Sequence, residues 1–277
     1  MITSRLESYY NYLVQDPLGF LIYFAYMAVT ILLSLILHEI AHGYTAWCCG
    51  DPTAKMMGRL SLNPAKHLDP WGTASMLIFG VGWAKPVPVN PRNYRNGRRD
   101  DILVSVAGII MNLTLFILCG VLSVVINGLI WKEGFLEQFR SQYGSLQGLL
   151  NIYTEGDASS WASVIAYGTR EGVEFLTRYA QNPWLLYVQR FLLMMTQINL
   201  NLAVFNLIPM PPLDGWHLLN DTILKGRMRL NPNTFRIMQI ALIVACLSGA
   251  LSSVLTVVNR TLYTGVINLF LVVGGLA

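Results

Sequence analysis

The sequence predicts an all-α polytopic membrane protein with four to five transmembrane helices and a small cytoplasmic-side β-hairpin or re-entrant region. Two observations predict this class. Of the 277 residues 54% are hydrophobic and only 12% are charged, and the mean hydropathy is +0.47. A soluble domain carries about 25% charged residues, so the chain lacks the polar surface of a soluble fold. In addition, uncharged runs long enough to cross about 30 Å of hydrocarbon recur along the chain.

The spans follow from these uncharged runs in chain order. Four runs are long enough to cross a bilayer: 17–37 (21 residues), 102–131 (30), 191–213 (23) and 237–259 (23). Residues 261–277 add 17 uncharged residues, which form a marginal fifth span or a re-entrant segment. The first run is too long for a signal peptide and is followed by no small-x-small cleavage site.

We therefore divide the chain into a core and a C-terminal extension. The core covers residues 1–236, with spans at about 17–49, 102–131 and 184–214, a hairpin region at 51–101 and an external loop at 132–183. Additional transmembrane segments follow over 237–277.

The two long connectors differ in character. Residues 51–101 contain many glycines and prolines, which exclude a long helix, and the short runs 74–79 and 87–89 suit strands or a hairpin at the membrane edge. Residues 132–183 hold ten charges and amphipathic stretches, which predict short interfacial helices outside.

The distribution of Lys and Arg orients the spans. The connectors 49–101 and 214–236 together hold twelve of these residues, and the opposite side holds seven. Cytoplasmic loops carry the excess of positive charge, so the protein is expected in the cell membrane with its N-terminus outside. The net charge of +4 is too small and too scattered to predict binding to nucleic acid. The four cysteines show no zinc-ribbon or disulfide spacing.

The sequence HEIAH at residues 38–42 places three ionisable side chains at the end of the apolar first span. On a helix, His38 and His42 share a face and can bind one metal ion, and Glu39 can act as a general base toward water at that metal. A pair of helix histidines satisfied by polar neighbours is the structural alternative. Three ionisable groups in an apolar helix are costly within a membrane, which favours the functional interpretation.

A third protein ligand is needed, because catalytic zinc sites use three plus water. His67, His217 and the carboxylates are the remaining choices. The expected depth of each residue in the membrane favours Asp214 as the third ligand. His38 lies about 32 Å along a helix from Pro17 and Asp214 about 36 Å from Arg190, so both lie near the cytoplasmic side. The prolines before Asp214 break the helix, which at membrane depth is tolerated only inside protein or around a cavity. The alternative is an ordinary carboxylate at a helix end.

With these motifs the sequence resembles the site-2 protease family, the intramembrane zinc metalloproteases. The resemblance rests on HEIAH and on NLIPMPPLDG at 206–215, and it extends to GRLSLNPAKHLDPWGT at 58–73 and AKPVPVNPRNYR at 84–95. It implies His38, His42 and Asp214 as ligands of one zinc ion per chain, and Glu39 as the catalytic acid and base.

The same resemblance implies two substrate-binding residues. Asn206 is expected to help hold the substrate or the oxyanion near the metal. The family motif Gly-Pro-x-x-Asn reads GIIMN at 108–112, without the proline, and Asn112 is expected to line the path of the substrate. No PDZ or CBS domain is visible, so the resemblance implies a compact member.

The expected function is hydrolysis of peptide bonds within or near transmembrane segments of membrane proteins, as in regulated intramembrane proteolysis. The partners are then transmembrane protein substrates and the lipid bilayer, and the oligomeric state is left open. The stretch 74–91 suits either a strand edge that pairs with unwound substrate or a plain connector. A metal transporter and a non-catalytic scaffold are the competing functions, but neither gives Glu39 a role.

Overall fold

The computed structural model describes residues 2–79, 84–132, 134, 135, 137, 141, 179–228 and 230–273. The described helices are α1 (Ile2–Gln15), α2 (Pro17–Cys48), α3 (Thr53–Met56), α4 (Pro70–Phe79), α5 (Arg98–Ile130), α6 (Leu185–Asn206), α7 (Asp214–Thr222), α8 (Pro232–Ser248) and α9 (Ala250–Val273). The interfacial helices predicted for the external loop lie almost entirely outside these residues.

The described residues are mostly helical and contain no β-sheet, which agrees with the all-α class. Among them only an isolated bridge joins Trp131 to Ala180. The strand predicted over 74–79 is wrong, because that segment belongs to α4. Asp69 caps this helix by accepting a hydrogen bond from Gly72 N at 2.8 Å, and Pro70 takes the first helical position. Residues 84–90 form an irregular segment without strand pairing, so the hairpin stays a prediction.

Asx-Pro dipeptides mark where many of these elements begin. The sequence contains seven of them, at 16–17, 51–52, 63–64, 69–70, 90–91, 182–183 and 231–232. Asp16 accepts from Gly19 N at 2.9 Å to start α2, and Asn231 accepts from Asn233 N at 3.1 Å to start α8. The Asx oxygen satisfies a free amide of the first turn, and the proline needs no donor there.

Two of the described helices are long and apolar enough to cross a membrane, α2 with 32 residues and α5 with 33. The run 237–259, expected as one span, is instead divided where α8 ends at Ser248 and α9 begins at Ala250. Gly249 lies between them with φ of 84°, a left-handed conformation that terminates a helix. The number of spans therefore stays a prediction.

The chain divides into two compact units. The first comprises Met1–Arg5, Ile31–Leu115 and Ile198–Asn259. Within it, Ala46, Tyr94 and Val104 form one buried cluster, and a second contains Leu213, Leu242 and Cys246. Asn199, fully buried, donates a hydrogen bond to Ser34 Oγ at 2.9 Å, which ties α6 to α2 one turn before His38. All residues of the predicted site belong to this unit.

The second unit comprises Leu6–Thr30, Phe116–Gln197 and Arg260–Ala277. Its core contains Ile130, Trp131, Ala180 and Leu185. The guanidinium of Arg190 is buried in this unit and lies 5.0 Å from the centre of the Tyr26 ring, a cation–π arrangement.

Candidate metal centre

The two histidines of the HEIAH motif meet on one face of α2. Their ring centres are 4.7 Å apart, and their Nε2 atoms are separated by 3.1 Å. This contact follows from the spacing of four residues, which stacks side chains one turn apart. His38 is buried and His42 half-buried, so both rings are held out of bulk solvent.

Asp214 joins these rings from another part of the chain. It is the first residue of α7, directly after the proline-rich turn that follows α6. This confirms that the prolines break the helix before Asp214. Its Oδ2 lies 3.2 Å from His38 Nε2 and 3.3 Å from His42 Nε2. The three side chains thus turn one atom each toward a common point.

The spacing of these three atoms fits a metal ion. Zinc bonds to nitrogen and oxygen are 2.0–2.1 Å long, so ligands at tetrahedral positions stand about 3.3 Å apart. The separations in this site are 3.1, 3.2 and 3.3 Å. Although both ring nitrogens are close, the buried Oδ2 of Asp214 accepts no well-formed hydrogen bond from the described residues. A cation at the common point would satisfy all three atoms.

Helix α5 fixes the orientation of both rings. His42 Nδ1 lies 2.7 Å from the carbonyl oxygen of Val104, which can only accept. The neutral His42 ring therefore carries its proton on Nδ1, and its Nε2 keeps a free lone pair for a metal. His38 Nδ1 lies 3.1 Å from the amide nitrogen of Asn112, which is fully buried. Asn112 thus contacts a predicted ligand directly.

Gly108 lies between these two contacts and leaves no room for a side chain. A Cβ atom at this position would stand 2.4 Å from His38 Cε1 and 2.4 Å from His42 Nε2. Real Cβ contacts essentially never fall below 3.0 Å. The rings can approach α5 this closely only because residue 108 is glycine.

The carboxylate of Glu39 is held by the segment that follows α4. The backbone N–H of Val87 donates to Glu39 Oε2 at 2.7 Å, and Val87 itself is buried. Glu39 also interacts electrostatically with His42. Glu39, the base predicted from the motif, is therefore oriented by one charge-assisted hydrogen bond near the imidazole of His42.

Two buried residues, Arg59 through its side chain and His67 through its backbone carbonyl, hold the segment that carries Val87. Arg59 donates from Nη2 to the carbonyl oxygens of Lys85 and Pro86, at 2.8 and 3.1 Å. The carbonyl of His67 accepts from Lys85 N at 2.9 Å. These contacts fix the backbone immediately before Val87.

Asp51 holds the other end of the segment. Its fully buried carboxylate accepts from Asn90 N at 2.6 Å, from Asn93 Nδ2 at 2.7 Å and from Thr53 N at 3.1 Å. Burial raises the pKa of Asp51, but these hydrogen bonds lower it more, so the pKa lies below the usual Asp value. Asp51 is therefore an ionised anchor for the backbone on the far side of Val87.

The other residues considered from the sequence lie elsewhere. His67 is fully buried, and its Nε2 lies 2.7 Å from the carbonyl oxygen of Ser61. Its ring therefore contacts the backbone of the 58–73 segment. His217 is exposed on α7. Asn206 is the half-buried last residue of α6, and its amide donates to Leu202 O at 3.0 Å in the same helix.

The sequence analysis gave no role to Val87, Val104 or Asp51, and it named Gly108 only as the first residue of the GIIMN motif. Backbone groups supply the contacts of Val87 and Val104, so no side-chain pattern marks them. Gly108 and Asp51 did carry signals. The former is a glycine inside an apolar helix, which often has a packing reason, and the latter belongs to an Asx-Pro pair.

Comparison with known proteins supports the same chemistry. Residues 26–249 match the sequence model of Peptidase family M50. The chain is 35% identical over 201 residues to "Putative zinc metalloprotease YwhC" of Bacillus subtilis, which covers 73% of this chain and 70% of that protein. It is 32% identical over 107 residues to "Putative zinc metalloprotease Rip2" of Mycolicibacterium smegmatis, which covers 37% of this chain and 41% of that protein. No solved structure matches significantly. The chain belongs to peptidase family M50, the site-2 protease family, and is a zinc metalloprotease.

Proposed function

We propose that this protein is an intramembrane endopeptidase that holds one zinc ion per chain through His38, His42 and Asp214. The observation that carries the proposal is the convergence of His38 Nε2, His42 Nε2 and Asp214 Oδ2 at separations of 3.1–3.3 Å. Three protein ligands leave one coordination position open, which is the pattern of a catalytic rather than a structural zinc site.

The residues around the ligands suit peptide hydrolysis. When bound, zinc supplies a Lewis acid that polarises a carbonyl and makes water acidic. Glu39 takes a proton from the attacking water and then delivers one to the leaving amine. The Val87 N–H keeps the Glu39 carboxylate oriented for both transfers, through its hydrogen bond of 2.7 Å. The second N–H of the Asn206 amide, beside the one given to Leu202 O, is the proposed donor for the substrate carbonyl, as the family resemblance implies.

The substrates are transmembrane segments of other proteins. The ligands His38 and His42 lie on α2, one of the two described helices that meet the length and hydropathy of a membrane span. The excess of Lys and Arg after α2 supports an N-terminus outside and a site nearer the cytoplasmic side of the cell membrane. A helical substrate has its amides satisfied internally, so it must unwind locally before cleavage.

The test is the Glu39→Gln variant with a reconstituted transmembrane substrate. The amide cannot accept the proton, so cleavage is expected to fall at least 100-fold while zinc content stays at one per chain. Glu7→Gln, an exposed carboxylate of α1, is the matched control and should cleave like wild type. Normal cleavage by Glu39→Gln would remove the proposed base, and a zinc-free wild type would remove the proposed metal centre.

A further inference from the structure

Asn112 contacts the ring nitrogen of His38 that does not face His42 and Asp214. Its side chain is fully buried on α5, and its Nδ2 is 3.1 Å from His38 Nδ1. The other amide atom, Oδ1, is also buried and accepts no hydrogen bond from the described residues. The polar end of this side chain is therefore directed at the back of a proposed ligand ring.

The chemistry of the ring decides which amide atom is required. If His38 Nε2 binds zinc, that nitrogen is unprotonated and the neutral ring carries its proton on Nδ1. An N–H at Nδ1 needs an acceptor, and the acceptor of an asparagine is Oδ1. A rotation of the amide by 180° exchanges Nδ2 and Oδ1, which have almost the same shape. The rotated amide accepts from Nδ1, and this favours the tautomer of His38 that can bind metal.

We propose that Asn112 is a positioning residue that sets the tautomer and orientation of His38, and that it is not a substrate-binding residue. This inference rests on the proposed function of His38 as a zinc ligand. Partners on the far nitrogen of a ligating histidine fix its ring and raise its basicity, and their loss typically weakens metal binding 10–100-fold.

The spacing along α5 supports this role. Val104, Gly108 and Asn112 are four residues apart and lie on one face of the helix. Val104 O contacts His42, Gly108 lies against both rings and Asn112 contacts His38. One helix face thus supports both imidazoles. The support of His42 is a backbone carbonyl, whereas the support of His38 is a side chain and can be removed by substitution.

The experiment measures zinc affinity in detergent by competition with a chromophoric chelator. Asn112→Leu keeps the approximate size but has no acceptor, so zinc binding should weaken 10–100-fold. Asn112→Asp supplies an acceptor and should bind zinc within threefold of wild type, or more tightly. Asn199→Leu is the matched control, because it removes another fully buried amide that bonds to α2, at Ser34, and it should leave zinc affinity unchanged.

Three results would overturn the inference. The first is an Asn112→Leu variant that binds zinc as tightly as wild type. The second is an Asn112→Leu variant whose sole change is a raised KM. The third is an Asn112→Asp variant that binds zinc tenfold more weakly than wild type. If Asn112→Leu does not fold, the Asn112→Asp measurement decides alone. A wild-type protein that binds zinc at His38 but cleaves no peptide would contradict the proposed function and leave this inference standing.

Discussion

Replacing Gly108 by alanine should disrupt the metal centre through one methyl group. The added Cβ would stand 2.4 Å from His38 Cε1 and from His42 Nε2, whereas ordinary contact begins at 3.4 Å. The rings or the helix must therefore recede by about 1 Å. Metal sites tolerate changes in ligand distance of only about 0.2 Å, so both imidazoles cannot stay in place. We expect zinc to bind at least 100-fold more weakly, which exceeds the usual effect of removing a supporting residue.

The assay compares zinc content and chelator competition in Gly108→Ala and Gly128→Ala. Both glycines lie on α5, but nothing lies within 4 Å of a Cβ at residue 128. Gly128→Ala should therefore bind zinc like wild type and gain roughly 0.5–1 kcal/mol of stability from helix propensity. Zinc affinity in Gly108→Ala within threefold of wild type would refute the packing described for the two rings.

Two further substitutions test how the site is supported. Asp51→Asn removes a buried anionic acceptor and should lower the free energy of unfolding by about 3 kcal/mol in thermal or denaturant unfolding. The folded-state pKa of Asp51 is lowered, so the part of this difference that comes from the charge should be complete above the usual Asp pKa of about 3.9. That part should be lost as pH falls through the lowered folded-state pKa, and a difference that does not shrink in acid would contradict this. Gly215→Ala should weaken zinc binding, because its Cβ would stand 2.4 Å from Leu207 O and displace the neighbouring Asp214. Gly265→Ala, with nothing within 4 Å, is the control, and equal zinc affinity in the two variants would argue against this role of Gly215.

The three proposed ligands could be predicted from the sequence because their positions follow local rules. His38 and His42 are one helical turn apart, so they share a face of the helix. Asp214 follows a proline-rich break in a helix, and within a membrane such a break is tolerated only inside protein or beside a cavity. The Asx-Pro pairs would also have located most helix starts, including that of α4 at Pro70, where a strand was predicted instead. A mainly apolar run of six residues does not distinguish strand from helix by itself, but the cap before it does.

Support of the site could not be predicted in the same way. The contacts of Val87 with Glu39 and of Val104 with His42 join backbone groups to side chains 48 and 62 residues away. No periodicity encodes such pairs, since they depend on how the chain folds back on α2. Asn112 illustrates the consequence. Family resemblance suggested a substrate contact, whereas the geometry directs its amide to a histidine ring.

The central claim is that two imidazoles and one carboxylate share a single zinc ion. X-ray absorption at the zinc edge, on wild type and on Asp214→Ala, tests it most directly. We expect one zinc per chain in wild type, bound by two imidazole nitrogens and by oxygen at about 2.0–2.1 Å, and a loss of most zinc from Asp214→Ala. A wild-type spectrum without two imidazoles, or an Asp214→Ala variant with full zinc and unchanged coordination, would contradict the claim.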